Sequence, residues 1–242
     1  MTEYKSIVGT KIKNYTTNPD NPDSGQVWYN ETDNVAKYEV PNVVASWRTQ
    51  NSLNTARDFT AGAGTATSAL CFGGLKPPSE TLMNENESWN GTSWTEVADL
   101  NTTRQQGASA GSSNTAALVF GGETSTAKSD HVEEWNGSSF SEKNDLNTAR
   151  DQLAGVGHFS STAILGVGGK IAPGSNTAIV EEWNGTSFTE IADLINGTKK
   201  SVGVGTTSSA LNISGGYPGG TNYTGVEEWS GSTNSTKTID TD

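Results

Sequence analysis

Cysteine and cationic residues are scarce in this 242-residue chain. The single Cys71 excludes an internal disulfide and leaves no paired thiols for a zinc site. The 15 Lys and Arg residues are outnumbered by 27 Asp and Glu residues, so the net charge is −12 at pH 7. Because nucleic-acid binding requires clustered cations, the charge disfavours a nucleic acid as partner.

Long apolar runs are also missing. No stretch approaches the roughly 18 apolar residues of a membrane span, and anionic lipid would repel the acidic chain. We therefore expect no membrane insertion. The N-terminal residues MTEYKSIVGTKIKNY lack the apolar stretch of a secretory signal. His131 and His158 are the only histidines, and neither has a second ligand at metal spacing, so we expect no metal and no other cofactor.

The most prominent feature of the chain is an internal repeat of about 47 residues. The phrase LNTAR occurs at Leu53–Arg57 and Leu146–Arg150, and LNTTR occurs at Leu100–Arg104. Each unit then carries a glycine pair and, further on, a tryptophan. The second glycines of the pairs are Gly74, Gly122, Gly169 and Gly216, and the tryptophans are Trp89, Trp135, Trp183 and Trp229. Four units therefore fill residues 41–242.

Each unit has the pattern of four strands. A small, glycine-rich strand precedes an apolar strand that ends in the glycine pair, as in TSALCFGG. A third strand ends in the tryptophan, and in three units it is followed by Asn-Gly, a strong hairpin signal. A fourth strand carries an aromatic residue and runs to leucine, as in SWTEVADL. The pattern predicts an all-β fold with four antiparallel strands in each unit.

The glycine pair, the two spaced aromatic residues and the period together resemble kelch-type repeats. The resemblance implies a small kelch-like β-propeller of four blades over residues 41–242. Trp47 lies where a fourth-strand aromatic would lie, so Ser46–Leu53 is predicted to be a fourth strand without its own blade. Asn234 occupies that aromatic position in the last unit. We expect Ser46–Leu53 to complete the final blade and close the ring, which removes exposed sheet edges.

Two alternatives to this closure remain. Ser232–Asp240 can supply the last unit with its own fourth strand, or another chain can finish an incomplete ring. The last unit is degenerate in any case: Asn212 is aligned with Leu70, Leu118 and Leu165, and LNTAR has become LINGTK. Cys71 aligns with apolar residues and is predicted to be an inert buried side chain rather than a nucleophile.

Residues 1–40 lie outside the repeat. The segment KNYTTNPDNPDSG is predicted to be an extended linker. Gln26–Asn30 and Val35–Val40 are predicted to form a hairpin around the turn Glu31–Asn34, and an isolated hairpin needs a surface to pack on. The leader N-P-x-x-P-x-x-G-Q-V-W-Y-N, followed by repeats of the type WNGTSWTEVADL, resembles virion-associated proteins of marine tailed bacteriophages.

This second resemblance implies a non-enzymatic virion protein that is made in the host cytoplasm and carried in several copies or as a homo-oligomer. The N-terminal segment would dock to other virion proteins, with Gln26, Val27, Trp28 and Tyr29 as candidate docking residues. A tail fibre or appendage that contacts a host-surface glycan or protein is the first interpretation, and a capsid-surface decoration is the second. A polysaccharide-cleaving propeller enzyme is a third interpretation, and an intracellular kelch adaptor is a fourth.

Repeated polar residues allow a functional and a structural interpretation. Arg57, Arg104 and Arg150 could form an anion site, with Lys199 or Lys200 replacing the fourth arginine. A repeated polar residue usually satisfies repeated backbone groups, so a structural role is favoured. Adjacent glutamates recur at Glu133-Glu134 and in two further units. Neighbours on a strand point to opposite faces, so these carboxylates cannot flank one glycosidic bond, and they too are predicted to be structural.

Specific recognition is expected in the parts that do not repeat. The loops between second and third strands differ in every unit, and variable loops on a rigid repeat scaffold commonly carry binding. Lys170, Tyr217 and Tyr223 are candidate recognition residues because tyrosines can stack on sugar rings. The loops are Leu75–Thr81, Glu123–Asp130, Lys170–Thr177 and Tyr217–Thr224.

Overall fold

The computed structural model describes residues 12–19, 26–38, 47, 49–157, 162–172, 175–216, 222–231 and 237–239. All regular secondary structure in these ranges is β-strand, in agreement with the predicted all-β fold, and none is helix. Within the same ranges, no helix could cross a membrane. The contacts divide the chain into two units, Met1–Thr49 and Gln50–Asp242.

The N-terminal unit contains one three-stranded sheet, made of β1 (Lys13–Tyr15), β2 (Val27–Asn30) and β3 (Val35–Tyr38). Strands β2 and β3 form the predicted antiparallel hairpin. Asn30 shapes the turn by accepting the backbone N–H of Asp33 at 2.9 Å. The prediction of an extended linker is wrong at β1, which pairs in parallel with β2. The polar KNY segment gives little strand signal of its own, and pairing supplies partners for its backbone.

The second unit contains four antiparallel sheets of four strands each, which confirms the predicted four strands per repeat. A small hairpin, β14–β15, extends the third sheet's second-to-third connection. The strands are β4 (Ala61–Thr65), β5 (Ser68–Lys76), β6 (Thr81–Trp89) and β7 (Trp94–Val97) in the first sheet; β8 (Ala108–Ser113), β9 (Ala116–Phe120), β10 (Val132–Trp135) and β11 (Phe140–Glu142) in the second; β12 (Ala154–Val156), β13 (Ile164–Val167), β16 (Val180–Trp183) and β17 (Phe188–Glu190) in the third, with β14 (Lys170–Ala172) and β15 (Ser175–Asn176); and β18 (Val202–Thr206), β19 (Ser209–Gly216), β20 (Asn222–Trp229) and β21 (Lys237–Ile239) in the fourth.

The first strands of consecutive sheets contact each other, β4 with β8, β8 with β12, and β12 with β18. Apolar side chains fill the space between the sheets. Phe72 of the first sheet and Leu100, the first residue of LNTTR, pack with Val119 and Trp135 of the second sheet. The first strands are built from small residues, so neighbouring backbones approach closely; Ser109 Oγ donates to Gly62 O at 2.8 Å. Small side chains along this contact explain why the sequence needs few large apolar residues.

The repeated tryptophans lie in these cores with their polar atoms satisfied. The indole N–H of Trp89 donates to Ala66 O at 3.0 Å, and that of Trp135 donates to Asn114 O at 2.9 Å. In the first three units the ring also contacts the aromatic residue of the fourth strand; the Trp135 and Phe140 centroids, for example, are 4.8 Å apart. The tryptophan and the fourth-strand aromatic are therefore cross-strand partners.

The prediction that Ser46–Leu53 completes the last sheet is wrong. Strand β21 pairs with β20 in that place, with Ile239 opposite Val226. Trp47 is exposed, and residues 49–53 form no strand. The alternative, that the last unit supplies its own fourth strand, is confirmed, with Ile239 where Val97 lies in the first sheet.

The alignment of the fourth unit is also one residue off. Leu211 lies opposite Glu228 as Leu118 lies opposite Glu134, so Leu211, and not Asn212, keeps the repeated leucine position. Ser214 adopts φ +58° in the place of the first glycine, and Gly215 corresponds to the second. The assignment of Gly216 as the fourth repeat glycine is therefore wrong. A serine in the left-handed region conceals the correct pairing from a search for two glycines.

The second glycine of each pair has no room for a side chain. Gly122 has φ +102°, and a Cβ there would lie 2.7 Å from Gln105 O. Gly74 has the same φ, and its Cβ would lie 2.4 Å from Asp58 O. Both the backbone conformation and the close approach of another backbone therefore require glycine.

Replacing Gly122 with Ala should destabilise the protein by about 2–3 kcal/mol, because strain at a positive φ adds to a backbone clash. Chemical denaturation measures the change. Gly62→Ala is the matched control, since a Cβ there meets only Leu70 O, at 3.4 Å. A Gly122→Ala loss no larger than that of the control would contradict the steric argument.

Candidate functional site

A buried ion pair recurs at one end of the first three sheets. The arginine comes from the LNTAR phrase before the first strand, and the glutamate comes from the third strand. Arg104 Nη2 lies 2.6 Å from Glu133 Oε1, and the two side chains are 2% and 0% exposed. The corresponding distances are 2.9 Å for Arg57–Glu87 and 3.0 Å for Arg150–Glu181.

The asparagine of the same phrase holds the second carboxylate oxygen. The backbone N–H of Asn101 donates to Glu133 Oε2 at 2.7 Å, and its side-chain Nδ2 donates at 3.0 Å. Asn147 donates to Glu181 through the same two groups. The LNTAR loop thus wraps around a glutamate carboxylate that has no contact with solvent.

The other terminal nitrogen of each guanidinium, Nη1, donates hydrogen bonds to backbone carbonyl oxygens. Arg150 Nη1 donates to Gly168 O at 3.0 Å and to Ile179 O at 2.6 Å. Arg104 Nη1 donates to Gly121 O at 3.1 Å and to His131 O at 2.8 Å. Burial lowers the pKa of Arg104 and Arg150, while the adjacent glutamates oppose the shift. These arginines tie the end of the second strand to the start of the third.

The fourth unit has no arginine at the position that Arg57, Arg104 and Arg150 occupy in the other units. Thr198 occupies the arginine position, because Gly169 N–H donates to Thr198 O as Gly122 N–H donates to Arg150 O. Asn212 Nδ2 donates to Thr198 Oγ1 at 3.1 Å. The prediction that Lys199 or Lys200 replaces the arginine is therefore wrong, since a neutral Thr–Asn contact stands there.

The second glutamate of each adjacent pair faces the other way. Glu134 Oε2 lies 2.8 Å from Lys143 Nζ, and both side chains are about one-third exposed. One carboxylate of the pair is buried against arginine and the other is at the surface, as alternation along a strand requires. No group of three or more His, Cys, Asp or Glu side chains suited to a metal occurs among the residues that the structure describes.

The variable loops lie at the same end as the buried pairs and are partly fixed to the next sheet. Lys128 Nζ, in the second loop, contacts Glu123 Oε1 at 2.6 Å and Asp151 Oδ2 at 2.7 Å. Burial would lower the Lys128 pKa, but the hydrogen bonds to the two carboxylates outweigh it, so the pKa is raised. This link has no signal in the sequence, because Lys128 lies in a segment that does not repeat.

The candidate recognition residues Lys170, Tyr217 and Tyr223 belong to two different units of the repeat. Lys170 begins β14, and its backbone pairs with Asp151, which precedes the first strand of the same unit. The backbone of Tyr223 lies in β20, opposite Gly215. Tyr217 lies outside the described residues. Lys170 and Tyr223 therefore lie in strands of different units, and the prediction of a loop over Tyr217–Thr224 is wrong at residues 222–224, which belong to β20.

Three candidate docking residues, Val27, Trp28 and Tyr29, lie in β2 of the N-terminal sheet, and Gln26 directly precedes it. Val27 is 42% exposed, Gln26 and Tyr29 are half-buried, and Trp28 is only 4% exposed. Val27 and Tyr29 alternate with Trp28 along β2, so they lie on the opposite face from it. The accessible docking residues are therefore Val27 and Tyr29, and the Trp28 side chain is buried.

No protein-family model matches the chain, and no curated protein matches it. The repeated arginines and the glutamates paired with them are buried and hydrogen-bonded within the fold, whereas the chemistry that differs between units lies in the loops.

Replacing Arg150 with Met should cost about 3–5 kcal/mol of stability, because it leaves the buried Glu181 without its cation. Lys143→Met, which breaks the partly exposed pair with Glu134, should cost less than about 1 kcal/mol. Urea unfolding compares the two variants. If the two variants lost equal unfolding free energy, burial would not explain a difference between the Arg150–Glu181 and Lys143–Glu134 ion pairs.

Cys71 should react with a thiol reagent only when the protein unfolds. The side chain is buried, and desolvation raises its pKa although Arg57 acts in the opposite direction. A disulfide reagent at pH 8 should therefore label native protein slowly and denatured protein rapidly. Fast labelling of one thiol in native protein would contradict the inert assignment.

Proposed function

We propose that the chain is a non-enzymatic virion protein of a tailed phage, and that its four sheets are blades of a kelch-like propeller whose ring is left open between the fourth and the first sheet. The observation that carries the proposal is the internal use of the repeated polar groups. Arg150 and Glu181, for example, are fully buried and satisfied within the fold. They support a scaffold, and they leave the variable loops as the surface that presents specific chemistry.

Attachment to the particle is assigned to residues 1–40. The support is the leader motif ending in Gly25–Asn30 together with the exposed side of β2, where Val27 is 42% exposed. An exposed β-branched residue next to a half-buried tyrosine offers an apolar contact to another virion protein. The propeller is then free to face a host-surface glycan, a host protein or a neighbouring virion protein through its loops.

The arrangement of carboxylates gives no support to polysaccharide cleavage. Glycoside hydrolysis needs two carboxyl groups that flank one bond. Here one glutamate of each adjacent pair is held in the interior, as Glu133 is by Arg104, and Glu134 points outward to Lys143. A tail appendage is our first assignment and a capsid-surface decoration is the second.

Mass spectrometry of purified phage particles tests the location, and the chain should be present at fixed stoichiometry. Deleting residues 1–40 should remove it from particles while leaving it expressed. Val27→Asp should reduce incorporation because it places a charge on the docking side of β2. Val35→Asp is the matched control, since Val35 is 46% exposed and lies opposite Asn30, on the other face of the hairpin.

Particles without the chain would overturn the virion assignment, and incorporation of the deletion variant would overturn attachment through residues 1–40. Exchange of the loop 77–80 for Gly-Ser residues should keep incorporation and lower adsorption to host cells if that loop contributes to recognition. A particle reconstruction then distinguishes tail from capsid.

A further inference from the structure

The fourth sheet exposes an apolar face that the other three sheets bury. In each of the first three sheets, the face towards the next sheet is covered; Ala63, Ala110 and Val156 are 9%, 0% and 1% exposed. The matching residue of the fourth sheet, Val204, is 38% exposed, and Val202 beside it is 59% exposed. We call the side that packs on the following sheet the front face, and the side that packs on the preceding sheet the back face.

The three internal junctions show what such a front face binds. At the last junction, the back face of the fourth sheet lies so close that a Cβ on Gly203 would be 2.5 Å from Val156 Cγ2. Gly203 lies opposite Asn212 in the strand pairing, as Gly62 lies opposite Cys71. Gly62 is therefore the equivalent back-face residue of the first sheet, and it is exposed.

Backbone hydrogen bonds run through the junctions in a regular series. Gln106 N–H donates to Phe59 O at 2.9 Å, Gln152 N–H to Gln106 O at 2.8 Å, and Lys200 N–H to Gln152 O at 2.8 Å. Each bond runs from one sheet to the preceding one, between residues at equivalent positions. Continued by one step, the series would pair Phe59 N–H of a first sheet with Lys200 O of a fourth.

The charges at the two ends of the series are opposite in sign. The fourth sheet begins with Lys199 and Lys200, whereas the first sheet has Asp58 at the position of Lys199. A junction between these ends would bring an acidic residue near two basic ones, and this favours a fourth-to-first contact over a contact between two identical ends.

We propose that the front face of the fourth sheet binds the back face of the first sheet of a second copy of this chain. The contact repeats the internal junctions, with Gly62 of one copy on Val204 of the other. It is head-to-tail, so the copies form either a closed ring or a growing series. The proposal rests on the junction geometry and does not depend on where the protein acts.

Light scattering after size-exclusion chromatography of the full chain tests this, over roughly 1–100 μM protein. About 150 mM salt screens the repulsion between acidic copies. We expect the wild-type mass to exceed that of one chain and to rise with concentration. Val204→Asp, which blocks the front face, and Gly62→Asp, which blocks the back face, should each be monomeric.

Mixing the two blocked variants gives the most specific result. Each retains the face that the other has lost, so an equimolar mixture should form a 1:1 complex although neither variant assembles alone. Ile171→Asp is the matched control, because Ile171 is 40% exposed and lies in β14, away from the proposed contact; this variant should assemble like wild type. A thermal melt of each variant verifies that it is folded.

If one of the aspartate variants does not fold, disulfide cross-linking provides a second test. Gly62→Cys and Val204→Cys, made in separate chains and mixed under oxidising conditions, should form a cross-linked heterodimer. When the two cysteines are placed in one chain, they should cross-link different copies. A cross-link within one chain, a monomeric wild type, or assembly of Gly62→Asp alone would each overturn the proposal.

Discussion

The repeat depends on one buried interaction, the contact of a glutamate on the third strand with the loop that precedes the first strand. Glu133 accepts hydrogen bonds from the backbone and side chain of Asn101 and from Arg104, in the absence of solvent. A carboxylate removed from water is tolerated only with such a complete set of donors. The loop conformation is fixed by this requirement, and the loop in turn positions the first strand and the junction to the preceding sheet.

The strand order within each unit could be predicted from the sequence because each signal is local. Glycine pairs, Asn-Gly turns and paired aromatics act within a few residues, and the structure places them as alternation and turn chemistry require. A structural role for Glu133 was predicted, but its pairing with Asn101 and Arg104 was not, since these partners come from a distant part of the chain. A signal did exist in the sequence: a glutamate recurs at this strand position in all four units, as Glu87, Glu133, Glu181 and Glu227, and in the first three units it accompanies LNTAR or LNTTR.

The wrong predictions are concentrated where the repeat is weakest. In the fourth unit, Ser214 stands in the position of a glycine, so the alignment shifted by one residue and hid the equivalence of Thr198 with the arginines. The wrong prediction that Ser46–Leu53 completes the last sheet was based on Asn234, which stands where the other units have a fourth-strand aromatic residue. Strand β21 needs no aromatic, however, because backbone pairing with β20 is enough to define it. Absence of one side chain is weak evidence against a strand whose partner is already in place.

The hydrogen bond from Gly74 N–H to Arg104 O has a consequence for the order of unfolding. Through this bond, the LNTTR loop that precedes the second sheet also contacts the first sheet. A sheet in the middle of the series therefore cannot open without breaking the junctions on both of its sides. In such a linear array, fraying begins at an end and spreads inward. The fourth sheet, held by a neutral contact between Thr198 and Asn212 and exposing Val202, is the end where amide hydrogens should exchange first.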